Sequence, residues 1–165
     1  MAVAKGDSEI QRIIDIDSAI FEDNGTVYTV SYQGKIAAIE PASGRKLWSN
    51  DASSHVGMSS GFGNIYVSGD GGGVTAFEKS GQGARWAQTV FSRRKLSGSA
   101  TLSSYVIVGD FEGYIHALSQ VDGHIAARTR VDSSGIQVDL QTFDNKLLVY
   151  SNDGKLVAYK LEEPK

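Results

Sequence analysis

The residues of this chain best suited to chemistry are carboxylates placed beside glycines. Asp70, Asp110 and Asp153 stand in SGDGGGV (68–74), GDFEG (109–113) and SNDG (151–154). A calcium site would need several oxygen ligands converging on one point. These aspartates recur about 40 residues apart, each where a side chain can hydrogen-bond the backbone of its own turn. SGDGGGV has the glycine content of a phosphate loop, but such a loop opens a helix, and this one runs into the strand-like VTAF. His55, His116 and His124 show no HxH or HxxxH spacing, and His116 lies inside an apolar run, as a core residue would. No G-x-S-x-G is present to raise a nucleophilic serine on a strained turn. With no cysteine there is no thiolate ligand, cysteine nucleophile or disulfide. No catalytic, cofactor-binding or metal-ligating residue is expected.

Two charged clusters remain. Asp15 and Asp17 alternate with Ile14 and Ile16, so on a strand both carboxylates point the same way. Read alone, they are the charged edge that keeps sheets from adding to one another. Arg93-Arg94-Lys95 reads as a solvated loop between two repeats.

Composition narrows the frame for these residues. The chain has 165 residues, of which 41% are apolar and 21% charged, with a formal charge of −3. That is globular rather than disordered, and it lacks the basic face a nucleic-acid binder gathers, so no nucleic-acid partner is expected. No apolar run approaches the roughly 20 residues of a membrane span, and MAVAKGDSEIQ has no signal-peptide core. Glycine is abundant at 19 and proline scarce at 2, a balance that suits tight turns between short strands.

The glycines are periodic. GKIAAIE begins at Gly34, GGVTAFE at Gly72, GYIHALS at Gly113 and GKLVAYK at Gly154, at intervals of 38, 41 and 41 residues. The fifth residue of each is alanine: Ala38, Ala76, Ala117 and Ala158. A strand-like run precedes each glycine, which is the pattern of a β-hairpin. A third run comes earlier in each unit, and a fourth (RKLWSN, ARWAQTV, HIAARTR) follows in the first three. Four short strands in about 40 residues make a propeller blade. IAAI and VTAF are apolar on both alternating faces, as strands covered on both sides must be. The expected fold is all-β: a β-propeller segment of about four consecutive four-stranded blades, half of an eight-bladed ring, at approximately 16–50, 55–90, 96–130 and 135–165.

Ala38 to Trp48 and Ala76 to Trp86 resemble the A-x-D/E-x-x-S/T-G-x-x-x-W repeat of PQQ-like, quinoprotein-type propellers. In the third unit Asp122-Gly123 is kept and Ala127 stands in place of tryptophan. The resemblance makes Trp48, Trp86 and the four alanines structural, inter-blade residues. GDSEIQRIIDID (6–17), VGDFEGYIHAL (108–118) and VDSSGIQ (131–137) resemble the C-terminal half of the BamB family, from about Gly6 to Leu161. That family consists of lipid-anchored propellers on the periplasmic face of the Gram-negative outer membrane. The resemblance implies a non-enzymatic scaffold of the β-barrel assembly machinery that binds the POTRA domains of BamA, with unfolded outer-membrane proteins as further partners. It implies that Asp15 and Asp17 belong to the BamA-binding surface, and that no cofactor is needed. It also implies a fragment, with the lipid anchor and a second contact loop upstream, whose open blade faces favour self-association. The alternatives are a PQQ-dependent dehydrogenase, which would hold its quinone with calcium, and a generic protein-interaction propeller.

Overall fold

Short apolar runs that recur every 40 residues can cover both faces only if sheets stack on sheets. The computed structural model, which describes residues 20–161 apart from Gln33, has that arrangement. Its strands, with no helix among the described residues, form antiparallel sheets in chain order. The first sheet runs β1 (Phe21–Asp23), β2 (Thr26–Val30), β3 (Gly34–Glu40), β4 (Arg45–Ala52). The second runs β5 (Met58–Gly61), β6 (Asn64–Gly69), β7 (Gly73–Glu78), β8 (Ala84–Gln88). The third runs β9 (Ala100–Leu102), β10 (Tyr105–Gly109), β11 (Tyr114–Ser119), β12 (Ile125–Arg130). The fourth has three described strands, β13 (Gln141–Phe143), β14 (Lys146–Tyr150) and β15 (Leu156–Lys160). All four are meanders of a β-propeller, and the last lacks an outer strand among the described residues.

Local chemistry fixes the hairpins. Asn24 and Gly25 join β1 to β2 with φ of 50° and 77°, the paired positive angles of a type I′ turn that matches strand twist. Asp144 and Asn145 repeat that geometry between β13 and β14. In the turn between β10 and β11, Gly113 has φ of 84°, and a Cβ there would meet the Asp132 carbonyl oxygen at 1.8 Å. Only glycine lets the chain entering the fourth sheet pass so close.

Each outer strand pair slips register at one repeat position, after Ala38, Ala76 and Ala117. The slip leaves Trp48 opposite Ala38, Trp86 opposite Ala76, and Ala127 opposite Ala117.

Apolar side chains gather between sheets rather than in one centre. Tyr28, Ile36 and Ala38 pack with Met58, Ile65 and Val67 between the first and second sheets. Tyr66, Val74 and Ala76 pack with Leu96, Val106 and Leu118 between the second and third. Ile107, Ile115 and Ala117 meet Leu140, Leu147 and Val149 between the third and fourth. Ala38 and Ala76 are fully buried and Ala117 is buried. Ala158 is exposed, on the outward face of the last sheet, against which no further sheet is described.

Candidate functional site

The repeat tryptophans sit where one sheet meets the next. Trp48 donates its indole N–H to the Lys79 carbonyl of the second sheet at 2.9 Å, and Trp86 donates to the Gln120 carbonyl of the third at 3.1 Å. A Cβ on Gly81 would lie 2.6 Å from the Trp48 ring, and one on Gly123 would lie 2.5 Å from the Trp86 ring. Each half-buried indole thus packs against a turn glycine of the following repeat, its N–H satisfied by a carbonyl. Asp15 and Asp17, the partner-binding candidates, lie outside the described residues.

A buried ion-pair cluster holds the connection between the second and third sheets. Asp110 is fully buried, and its Oδ1 accepts the backbone N–H groups of Glu112 and Tyr114 at 3.0 Å each. Its Oδ2 takes Arg94 at 2.7 Å and His116 Nε2 at 2.9 Å. Burial works to raise the carboxyl, but hydrogen bonds from His116, the Tyr114 amide and Arg94 prevail and hold it at about 2. The His116 ring lies 4.8 Å from that of Phe91. Arg94 also reaches Glu112 at 2.8 Å, so Arg93-Arg94-Lys95 is not the uniformly solvated loop its charge suggests. A buried carboxylate requires a partner, and Arg94 supplies it while Arg93 and Lys95 stay exposed. Of the three turn aspartates, Asp110 bonds its own turn as expected, whereas Asp70 takes Ser53 and His55 of the preceding connection.

Sequence reading missed Asp139. Gly57, Gly98 and Asp139 stand 41 residues apart, at the start of the innermost strands. The Asp139 carboxylate accepts the Gly57 N–H at 3.1 Å and the Gly98 N–H at 2.9 Å. One side chain of the fourth repeat thereby ties together the second and third. The signal was the interval itself, with a carboxylate where two earlier repeats keep glycine. Around it opens a recess of about 800 Å³, lined by Tyr32, His55, Asp70, Lys95, Gln137 and Asp139.

VDSSGIQ is anchored on both sides. Asp132 accepts the Ser134 N–H at 2.8 Å, Ile136 is buried and donates its N–H to the Asp110 carbonyl, and Gly135 takes the Asn152 N–H of the next hairpin. Among the described residues no group of three or more His, Asp or Glu is placed to hold a metal ion.

A family model described as outer membrane protein assembly factor BamB matches residues 1–88. An outer membrane protein assembly factor BamB from Pseudomonas aeruginosa is 47% identical over 161 residues, covering 98% of this chain and 42% of its own length. The chain thus spans about two fifths of the curated relatives it matches. Among solved structures, BamB from Moraxella catarrhalis superposes with a TM-score of 0.84 at 24% identity, over 91% of this chain and 46% of that one. The computationally designed protein Ika4 gives 0.77 at 15% identity, over 98% and 96%. These two likenesses speak for the propeller fold alone.

Proposed function

This chain belongs to the family described as outer membrane protein assembly factor BamB, and on that premise we propose that it forms part of a non-enzymatic scaffold in the β-barrel assembly machinery. The observation that carries the reading is the 47% identity to an assembly factor over nearly the whole chain. In this reading it works at the periplasmic face of the outer membrane, held there by a lipid anchor on the full-length protein. Its partner is the POTRA region of BamA, and Asp15 and Asp17 form part of the contact. The supporting features are a stack of rigid sheets, polar groups spent on tying connections together, and a negative pair on alternate residues. A standard interface buries about 800 Å² on each partner, which a stack of blades offers along its rim. Such a scaffold aids the folding and insertion of outer-membrane proteins by positioning other subunits.

Calorimetry of this chain against the POTRA domains tests the reading. Saturable binding is expected, weakened at least tenfold by Asp15→Ala together with Asp17→Ala. Absence of heat both from this chain and from a chain of the relatives' full length would overturn it.

A further inference from the structure

Two cations and one ring share the outer edge of the third sheet. β12 is the edge strand there and is exposed along its whole length. Its pairing with β11 sets Arg130 opposite Tyr114 and Arg128 opposite His116. Residues directly opposed across an antiparallel pair share a face, so these four stand on one side of the sheet. Ile115 and Ala117, which alternate with Tyr114 and His116, pack toward the fourth sheet. His116 packs instead on Phe91, in the connection that leaves the second sheet. The two arginines therefore face away from the fourth sheet.

The Arg128 guanidinium lies 3.7 Å from the centre of the Tyr114 ring, and that of Arg130 lies 5.4 Å from it. Stacking uses the face of a guanidinium and leaves its N–H fork free. Neither arginine meets a carboxylate among the described residues, and Arg130 spends one N–H, at Nε, on the Asp132 carbonyl at 3.3 Å. The carboxylates nearest in sequence are held elsewhere: Asp110 and Glu112 take Arg94, and Asp132 takes the Ser134 amide. Two like charges thus share one ring with no counter-charge and with donors to spare. A single carboxylate would offset half of that charge. A phosphate monoester carries roughly −1.5 to −2 at neutral pH and brings three acceptor oxygens, which two guanidinium forks suit.

We propose that Tyr114, Arg128 and Arg130 form a binding site for a phosphate group, free or at the head of a lipid. The ring holds Arg128 in place, and both forks donate to the phosphate oxygens. The site goes beyond the scaffold reading, whose own test uses Asp15 and Asp17, so either can fail without the other.

The first probe is inorganic phosphate, titrated at constant ionic strength into the whole chain and followed by NMR of its labelled arginine side chains. Saturable shifts of the Arg128 and Arg130 Nε–H signals are expected at millimolar phosphate, with binding weakened about tenfold in Arg128→Gln or Arg130→Gln. Tyr114→Leu, which keeps both charges and removes the ring, should weaken binding about threefold, and Tyr114→Phe should retain it. Should Tyr114→Leu fail to fold, the two glutamine variants, on an exposed strand, still decide. The second probe is vesicles of phosphatidic acid, sedimented with the chain against vesicles of phosphatidylcholine. Binding to the acidic vesicles that Arg128→Gln abolishes supports a lipid source, and phosphate binding without vesicle binding supports the free anion. No response to either probe overturns the proposal, as do equal shifts with acetate or glutamine variants that bind like the unaltered chain. So does a glutamate-rich peptide that binds where phosphate does not, because an acidic protein segment would then be the occupant.

Discussion

Asp110 shows how one carboxylate couples a turn to a neighbouring connection. Its pKa lies at about 2 in the folded chain, below the unfolded value near 3.9. A depressed carboxyl gives stability that is present above the unfolded pKa and lost as pH falls through the folded one. The contribution is roughly 2 kcal/mol at neutral pH by linkage, lost mainly between about pH 4 and 2. Asp110→Asn should cost about 3 kcal/mol at pH 7, since it removes the buried charge that Arg94 and His116 share and leaves Arg94 only Glu112, and the gap from the unaltered chain should narrow toward pH 2. Urea melts across that range check both statements. At the sheet contacts, Trp86→Ala should cost about 3–5 kcal/mol. Gly123→Ala should cost upwards of about 1 kcal/mol, because its φ of 75° and the indole 2.5 Å from the added carbon both oppose it. Thermal melts of the two variants, which act on opposite sides of one contact, should show less than additive losses. The turn role of Asp110 was legible from its place before Gly113. Its pairing with Arg94 was not, because the 16-residue separation is closed only by the path of the connection.

Asp139 organises matters at the level of whole strands. Its carboxylate meets two backbone N–H groups from two earlier sheets, so its removal loosens three innermost strands together. Asp139→Ala should cost about 1–2 kcal/mol, a modest loss because the side chain stands at a solvent-facing edge where water can replace it. Hydrogen exchange should locate the effect at the Gly57 and Gly98 amides. Strand order was readable from glycine and alanine intervals because hairpin turns and doubly covered strands demand those residues at fixed places. The bulges after Ala38, Ala76 and Ala117 were not readable, since a register slip leaves no mark in composition. Phe62 is a further case: Gly63, at φ of 76°, announces the turn, but nothing in the sequence marks the phenylalanine before it as the residue that takes φ of 49°.

Among the described residues, no sheet covers the outward face of the fourth sheet. Tyr150 and Leu156 are 47% and 67% exposed on the last sheet, beside Ala158. Apolar burial contributes roughly 25 cal/mol per Å², so these exposed side chains should favour association with a second copy at tens of micromolar. Light scattering checks this, and Leu156→Lys should shift the population toward monomer. The all-β class and the four-repeat organisation were open to sequence reading, because a propeller writes its period into the chain. The partner surface was open only through resemblance, since Asp15 and Asp17 carry no spacing that distinguishes contact from edge protection.

The three apolar layers, each built from the same positions of adjacent repeats, bear on how such a chain could lengthen. A duplicated unit arrives carrying its own indole for the repeat ahead and its own turn glycine for the repeat behind. It needs no new complementarity, because the join it makes is one the chain already contains. A chain of this kind can therefore lengthen by whole repeats without inventing a new contact, and the third repeat, with Ala127 in place of tryptophan, shows that the join holds without an indole.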